Sequence, residues 1–172
     1  MQASRDGVIE VWRELLERCD ASRLVEARIA ASPGAPPRLV ALGKAAGPML
    51  EGASRALGAK VLEGALAVSA DAAGLPEGVE HCRGDHPLPG EGSLAAGRRV
   101  VAWAEEAGVS KRPVWVLLSG GASALLELPA EGVSLEALLA LHRRLHAAGV
   151  SIEVMNAARG RVSALKAGGL AD

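Results

Sequence analysis

The residues best suited to chemistry follow an unbroken run of five large apolar residues, Val114–Leu118. Directly after this run stand Ser119, Gly120, Gly121 and Ser123. A turn of small residues at the carboxyl end of a parallel strand leaves several backbone N–H groups unshielded, and these groups can bind the oxygens of one phosphate together. The alternative is a tight strand-to-helix connection that binds nothing, because Gly-rich turns are common.

Lys44 is the second candidate, because it follows a short apolar run, Leu39–Leu42, and a turn residue, Gly43. In an open parallel sheet, this position places the ammonium near the crevice at the carboxyl ends of the strands. The dipole of a helix N-terminus disfavours a cation, so the position favours a role in binding an anion. The segment is not a Walker A motif, since Arg38 and Ala45 stand where that motif needs Gly and Ser or Thr.

A last predicted helix, capped by Ser151 and extending to Lys166, carries a cationic polar face. With about 100° between successive residues, Asn156, Arg159, Ser163 and Lys166 fall within one sector of about 80°. A polar sector is usually solvated surface. One that holds two cations, an amide and a hydroxyl, without an acid, is also suited to an anionic ligand.

Histidines provide two further candidates. His142 and His146 have the i, i+4 spacing that can chelate zinc, but Arg143 replaces the glutamate of a metalloprotease motif. We therefore predict a packed or rim pair and no metal site. His86 precedes Pro87 in a loop, where its backbone is restricted to extended geometry. It either contributes to a site or shapes the turn.

Composition and charge exclude several classes of function. The 172 residues carry a formal net charge of −1, and the aromatic residues are three Trp, with no Phe or Tyr. We therefore expect neither a basic surface for nucleic acid nor stacking on its bases. A nicotinamide-type glycine fingerprint is also absent, because Gly90-Glu91-Gly92 does not follow a strand and Ala95 occupies the place of the third glycine. This argues against a dehydrogenase.

The sequence predicts a cytoplasmic protein without a membrane span. The N-terminus lacks an apolar signal core, and the apolar region Val114–Leu128 is interrupted by glycine and serine. Cys19 and Cys82 stand far apart without metal-type spacing. We therefore expect buried thiols in a reducing compartment.

Strand and helix patterns alternate along the chain, which predicts a three-layer α/β domain with a mostly parallel, Rossmann-like sheet. A first helix begins after a Ser4 cap and carries an apolar stripe that includes Val8 and Trp12. Four strands are predicted, and the first and last of them should lie in the interior of the sheet. The predicted strands are Leu39–Leu42, Ala65–Ser69, Val79–Cys82 and Val114–Leu118.

These motifs together resemble the type II glycerate kinases, a family once labelled hydroxypyruvate reductase. The matching segments follow the same order along nearly the whole chain, which is more specific than any single motif. They are Ala41–Ala46, Asp85–Pro89, Leu118–Leu125 and Ile152–Ala171. The loop departs from the family's usual Ser-Gly-Gly-Gly-Ser, since Ala122 adds a methyl group where a phosphate would approach.

The resemblance implies ATP-dependent phosphorylation of a glycerate hydroxyl, with Mg²⁺, in a cleft between two domains. It implies that Lys44 is the catalytic lysine. The residues that it assigns to phosphate or nucleotide binding are Ser119, Gly120, Gly121 and Ser123, and those that it assigns to the substrate or another anion are His86, Asn156, Arg159 and Lys166.

The family's chain continues into a second domain, whereas this sequence stops at Asp172. We therefore expect residues 1–172 to form an N-terminal α/β domain that is inactive as a kinase on its own. The face that a second domain would cover should favour self-association. A non-catalytic nucleotide- or phosphate-binding module and a structural domain are the alternatives.

Overall fold

A computed structural model of the chain describes residues 5–30, 37–109 and 112–170. It contains four strands, β1 (Arg38–Leu42), β2 (Leu66–Ser69), β3 (Glu80–Arg83) and β4 (Val114–Leu118). They form one sheet in the order β3-β2-β1-β4, and every pair of neighbours is parallel. The predicted α/β fold with a parallel sheet is confirmed.

Helices cover both faces of this sheet. The seven described α-helices are α1 (Arg5–Arg18), α2 (Ala21–Ala30), α3 (Ala46–Leu57), α4 (Glu91–Val109), α5 (Ala122–Leu125), α6 (Leu135–Ala147) and α7 (Ile152–Gly160). A 3₁₀ turn at Ala59–Leu62 follows α3. In the part of the chain that the structure describes, no helix has both the length and the apolar character that a membrane span requires.

The sheet separates two apolar cores, because successive side chains of a strand point to opposite faces. Leu39 and Ala41 of β1 pack on the face that α2 and α3 cover. Val40 and Leu42 pack on the other face, where α4 contributes the fully buried Trp103. This alternation fixes the orientation of β1 and therefore the direction in which the turn after it emerges.

The last strand occupies a different place from the predicted one. β4 pairs with β1 and forms the edge of the described sheet, so the expectation of an interior strand is wrong. Val116 is 48% exposed and Leu118 is 67% exposed. A run of apolar residues predicts that a strand is buried on both faces, but it does not reveal which elements within the chain would cover it.

The apolar stripe of the first helix is exposed, and the expectation about the cysteines needs correction. α1 is helical as predicted, but none of its side chains is buried, and Trp12 is 63% exposed. The Ser4 cap lies outside the described residues. Cys19 lies in the turn that follows α1 and is exposed, whereas Cys82 on β3 is partly buried. The two thiols are therefore not both buried.

The last helix is shorter than predicted, because α7 ends at Gly160 rather than at Lys166. Glycine is a weak helix former, and a Cβ at position 160 would lie 2.9 Å from the Cβ of Ala167. The chain folds back at this point, and backbone hydrogen bonds of 2.8 and 2.9 Å tie residues 162–164 to residues 128–130. Lys166 therefore does not share a helix face with Asn156 and Arg159.

Candidate functional site

Two turns meet at the carboxyl ends of β1 and β4. Because these strands are adjacent and parallel, Gly43 and Lys44 emerge beside Ser119 and Gly120. The backbone N–H of Lys44 donates to the carbonyl of Gly120 at 2.9 Å, and that of Ser119 donates to the carbonyl of Leu42 at 2.9 Å. The predicted lysine turn and glycine turn therefore form one structural unit.

The Ser119 hydroxyl holds the two turns together. It accepts from the backbone N–H of Ala45 at 3.0 Å and donates to the carbonyl of Leu42 at 3.2 Å. Gly43 makes room for it, since a Cβ at Gly43 would lie 2.3 Å from the Ser119 Oγ, and its φ is +117°. The Ser119 hydroxyl and backbone N–H are thus both engaged by protein groups.

Lys44 and His86 both lie against Gly121. A Cβ built on Gly121 would lie 3.2 Å from the Lys44 Cγ, 3.3 Å from the Lys44 Cε and 3.4 Å from the His86 Cδ2. Gly121 has a φ of +91°, so a side chain there would be strained as well as crowded. Lys44 and His86 are both exposed. Three separate loops therefore bring a cation, an imidazole and unshielded backbone to one point.

Asp85, which is not among the predicted site residues, positions the loop that carries His86. Its carboxylate accepts from the backbone N–H of Ser93 at 3.2 Å, and the Ser93 Oγ accepts from the backbone N–H of Asp85 at 2.9 Å. This reciprocal pair anchors the loop on the first turn of α4. A capping residue a few positions before a helix is the signal that could have identified it.

Arg159 reaches the far side of the glycine turn from α7. Its Nη2 donates to the Ser123 Oγ at 2.8 Å and to the Ser123 carbonyl at 3.3 Å. Its Nε donates to the Nε2 of His142 at 3.1 Å. Arg159 therefore links α5, α6 and α7, and it lies next to the turn that the sequence predicted as a phosphate site.

Lys166 has a different environment from the one its helical position predicted. Its ammonium forms an ion pair with Glu127, a residue that is fully buried just after α5. Glu127 also accepts from the Ser163 Oγ at 2.6 Å. Burial lowers the pKa of Lys166, and the hydrogen bond with Glu127 opposes this change. An acid distant in sequence thus offsets the charge that was predicted to attract anions.

Asn156 is exposed and lines a cavity of about 740 Å³ beside β4. The cavity also borders Ser119, Gly121, Ser123 and Lys166, and its remaining wall is largely apolar. Gly121 contributes to this cavity and also contacts Lys44 and His86. The structure therefore brings every predicted site residue to the same end of the sheet, although Lys166 and the Ser119 hydroxyl are bound to protein groups.

The histidine pair on α6 is split between two environments. His142 is 4% exposed, whereas His146 is exposed. Burial and the Arg159 guanidinium hold the pKa of His142 below its ordinary value of 6.5. Among the described residues, no group of three or more His, Cys, Asp or Glu side chains could hold a metal ion.

Several known proteins are similar to this chain in sequence. The family model described as "Domain of unknown function (DUF4147)" matches residues 8–172. The chain is 38% identical over 135 residues to the D-glycerate 2-kinase of Thermotoga maritima, a match that covers 78% of this chain and 32% of the relative. It is 34% identical over 147 residues to the human glycerate kinase, which covers 77% of this chain and 28% of that protein.

A solved structure matches as well. The crystal structure of glycerate kinase from Thermotoga maritima superposes with a TM-score of 0.83 at 33% sequence identity, covering 94% of this chain and 39% of that chain. The chain therefore spans about a third of the length of the curated relatives that it matches.

Proposed function

The chain belongs to the DUF4147 family, the N-terminal domain of type II glycerate kinases, and on that premise we propose that it forms the phosphate-binding part of an ATP-dependent glycerate kinase. The reaction moves the terminal phosphoryl group of ATP to a hydroxyl of glycerate. In this proposal, residues 1–172 act as one domain, and residues outside this chain supply the opposite wall of the active site.

The observation that carries the proposal is the convergence of Lys44, His86 and Gly121. Phosphoryl transfer depends mainly on positioning and on stabilising the charge of the moving group, with little covalent chemistry for the protein to perform. The Lys44 ammonium supplies a positive charge, and no described residue forms an ion pair with it. Gly120 and Gly121 carry no side chain of their own that would shield their backbone N–H groups.

The two turns are held together by contacts within the protein itself. Bonds from Ser119 and the close approach of Gly43 hold them in one geometry. Donors that are already in place stabilise a developing negative charge without a cost for reorganisation. The fixed backbone places the base of the Lys44 side chain beside the glycine turn, which supports the role of Lys44 as the residue that contacts the transferred phosphoryl group. His86 and Asn156, which border the same turn, are then positioned to contact the acceptor or the nucleotide.

ATP enters these reactions as its Mg²⁺ complex. The described residues do not form a cluster of carboxylates that would hold the ion by themselves. Mg²⁺ retains several waters and binds through few protein ligands together with substrate phosphates, so this donor set is compatible with an ion carried by ATP. None of the steps assigned to Lys44 or the glycine turn depends on protein ligands to the metal.

One wall is not sufficient for catalysis. The Lys44 ammonium is exposed, and water screens charged contacts on an open surface. Donor and acceptor must also be held together with water excluded. By themselves, the 172 residues should therefore bind ATP weakly and transfer no phosphoryl group. The exposed apolar edge of β4 should favour self-association of the chain.

The proposal can be tested in a chimera. This chain replaces the matching segment of the Thermotoga maritima D-glycerate 2-kinase, and glycerate-dependent ADP release is measured. We expect Lys44→Ala to lower kcat by about 100-fold or more, since it removes a charge aimed at the transferred group. Lys60→Ala is the matched control, because Lys60 is an exposed lysine on the 3₁₀ turn after α3.

A second measurement does not depend on the chimera. Calorimetric titration of the 172-residue chain with ATP and Mg²⁺ should give an affinity that Lys44→Ala weakens by about tenfold and Lys60→Ala leaves unchanged. The melting temperature of Lys44→Ala should match that of the wild type, because the side chain is exposed. Equal ATP affinity in wild type and Lys44→Ala would argue for a structural domain. Glycerate-dependent ADP release by the isolated chain would refute the need for a second wall.

A further inference from the structure

Hydrogen bonds to residues of two other helices hold the Arg159 side chain in place. His142 on α6 accepts from the Arg159 Nε, and the Arg159 Nη2 donates to both Ser123 oxygens at the start of α5. Ser123 stands two residues after Gly121, which contacts Lys44 and His86. The orientation of Arg159 beside the glycine turn therefore depends on a histidine that does not touch the turn.

The bond between Arg159 and His142 requires one protonation state of the imidazole. The Arg159 Nε carries a hydrogen and can only donate, so the His142 Nε2 must present its lone pair. The ring is then neutral, with its hydrogen on Nδ1. A protonated His142 would present a hydrogen at both nitrogens and would face the guanidinium as a like charge.

The surroundings of His142 favour the neutral form. Burial is the largest effect that lowers its pKa, and the positive charge of Arg159 on α7 is the second. Lys166, in the segment after α7, and His146, on α6 itself, also lower the pKa, and Glu127 after α5 raises it. These are the charged and titratable groups that face the ring from the elements packed around it.

We propose that His142 is a positioning residue, whose neutral imidazole holds Arg159 against Ser123 beside the anion-binding turn and releases it when protonated. The functional part of this inference rests on the function proposed above. Because protonation is disfavoured in the folded state, the contact is intact above the ordinary histidine pKa. It is lost as the pH falls through the lower pKa of the folded protein.

The direct test is a nuclear magnetic resonance titration of the ligand-free chain from about pH 8 downwards, continued until the His142 ring is protonated. A ring that stays neutral until the chain unfolds would overturn the proposed release. In the wild type, we expect an unprotonated His142 Nε2 at the upper end. The Arg159 Nε–H resonance should then change together with the protonation of His142. In His142→Gln, the amide oxygen can accept from Arg159 at either pH, so this resonance should stay constant. His146→Gln is the matched control on the same helix. In this variant the Arg159 resonance should still follow the protonation of His142, at a slightly higher pH, because the lowering effect of His146 is removed.

Measurement of the ATP affinity tests the functional part of this proposal. Between about pH 8 and the pH at which the titration shows His142 to be protonated, the wild type and His146→Gln should lose about fivefold more affinity than His142→Gln, the change expected from the loss of one hydrogen bond. Titration of ATP itself is common to all three proteins, so it cancels in this comparison. His142→Leu, which cannot accept, should bind ATP more weakly than His142→Gln at both pH values.

The outcomes separate the two proposals. The positioning role is overturned if the His142 Nε2 is protonated at about pH 8. It is also overturned if the Arg159 Nε–H resonance does not change when His142 is protonated. Equal pH dependence of ATP affinity in wild type and His142→Gln overturns it too, and leaves the proposed function intact. If no variant binds ATP but the Arg159 resonance follows His142, the proposed function fails and the positioning of Arg159 stands.

Discussion

Replacement of Lys166 by methionine should destabilise the fold, because it removes the charged partner of a buried carboxylate. Glu127 is fully buried, and its Oε2 contacts the Lys166 ammonium. Its Oε1 accepts from the Ser163 hydroxyl at 2.6 Å and from the backbone N–H of Leu128 at 3.1 Å. In Lys166→Met, two neutral donors would remain for a full negative charge in an apolar environment.

The magnitude follows from the burial of the two partners. Breaking a buried ion pair by removing one member typically costs about 3–5 kcal/mol of unfolding free energy. The Lys166 side chain is 19% exposed, against 1% for Glu127, so some water can approach the carboxylate once the ammonium is gone. We therefore expect a loss of about 3 kcal/mol, at the lower end of that range. For a domain of this size, the melting temperature should fall by roughly 10 °C.

Urea and thermal unfolding, followed by circular dichroism and by the fluorescence of the buried Trp103, would measure this loss. The double variant Glu127→Gln/Lys166→Met should recover most of it, because an amide can accept the same two hydrogen bonds without a charge. Lys60→Met is the control for removing an exposed lysine and should change the stability by less than about 0.5 kcal/mol. A Lys166→Met variant as stable as this control would refute the reasoning.

Two further predictions concern the turns and the sheet edge. Gly43→Ala should lower the unfolding free energy by at least about 2 kcal/mol more than Gly58→Ala, as measured by urea unfolding. Both glycines have a positive φ, but only at Gly43 would the added Cβ meet Ser119. An equal cost for the two variants would show that the contact with Ser119 is unimportant. Leu118→Lys should reduce self-association in sedimentation velocity experiments, because it places a charge at the exposed edge of β4. An unchanged distribution of sedimentation coefficients would show that the chains associate through another surface.

The sequence predicted the parts of the fold that local patterns determine. β1 combines an apolar run with a turn glycine and a helix start, and the structure contains these elements in that order. The edge position of β4 was not predictable in the same way. Strand order depends on which segments lie side by side, and the apolar residues of Val114–Leu118 are the same whether a further strand covers them or not.

The candidate site also combines features that local sequence patterns predict with features that depend on residues far apart in sequence. Lys44 and the glycine turn could be placed together, because parallel strands present their carboxyl ends at one edge of a sheet. The environment of Lys166 could not be predicted in this way. Its partner Glu127 is separated from it by 39 positions in sequence, and the helical projection assumed that α7 continues past Gly160. Once the chain folds back there, the projected neighbours of Lys166 change entirely.

The polar residues around the glycine turn consequently divide by what they bind. Ser119, Ser123, Arg159 and Lys166 are engaged by other protein groups, whereas the Lys44, His86 and Asn156 side chains form no hydrogen bond or ion pair within the described part of the chain. The proposed anion site would need donors that are fixed and donors that are available. The first set supplies the rigidity, because each of its bonds joins two elements, and the second set supplies the groups that can reach a ligand. Substitutions in the first set should therefore alter stability together with affinity, and substitutions in the second set should alter affinity alone.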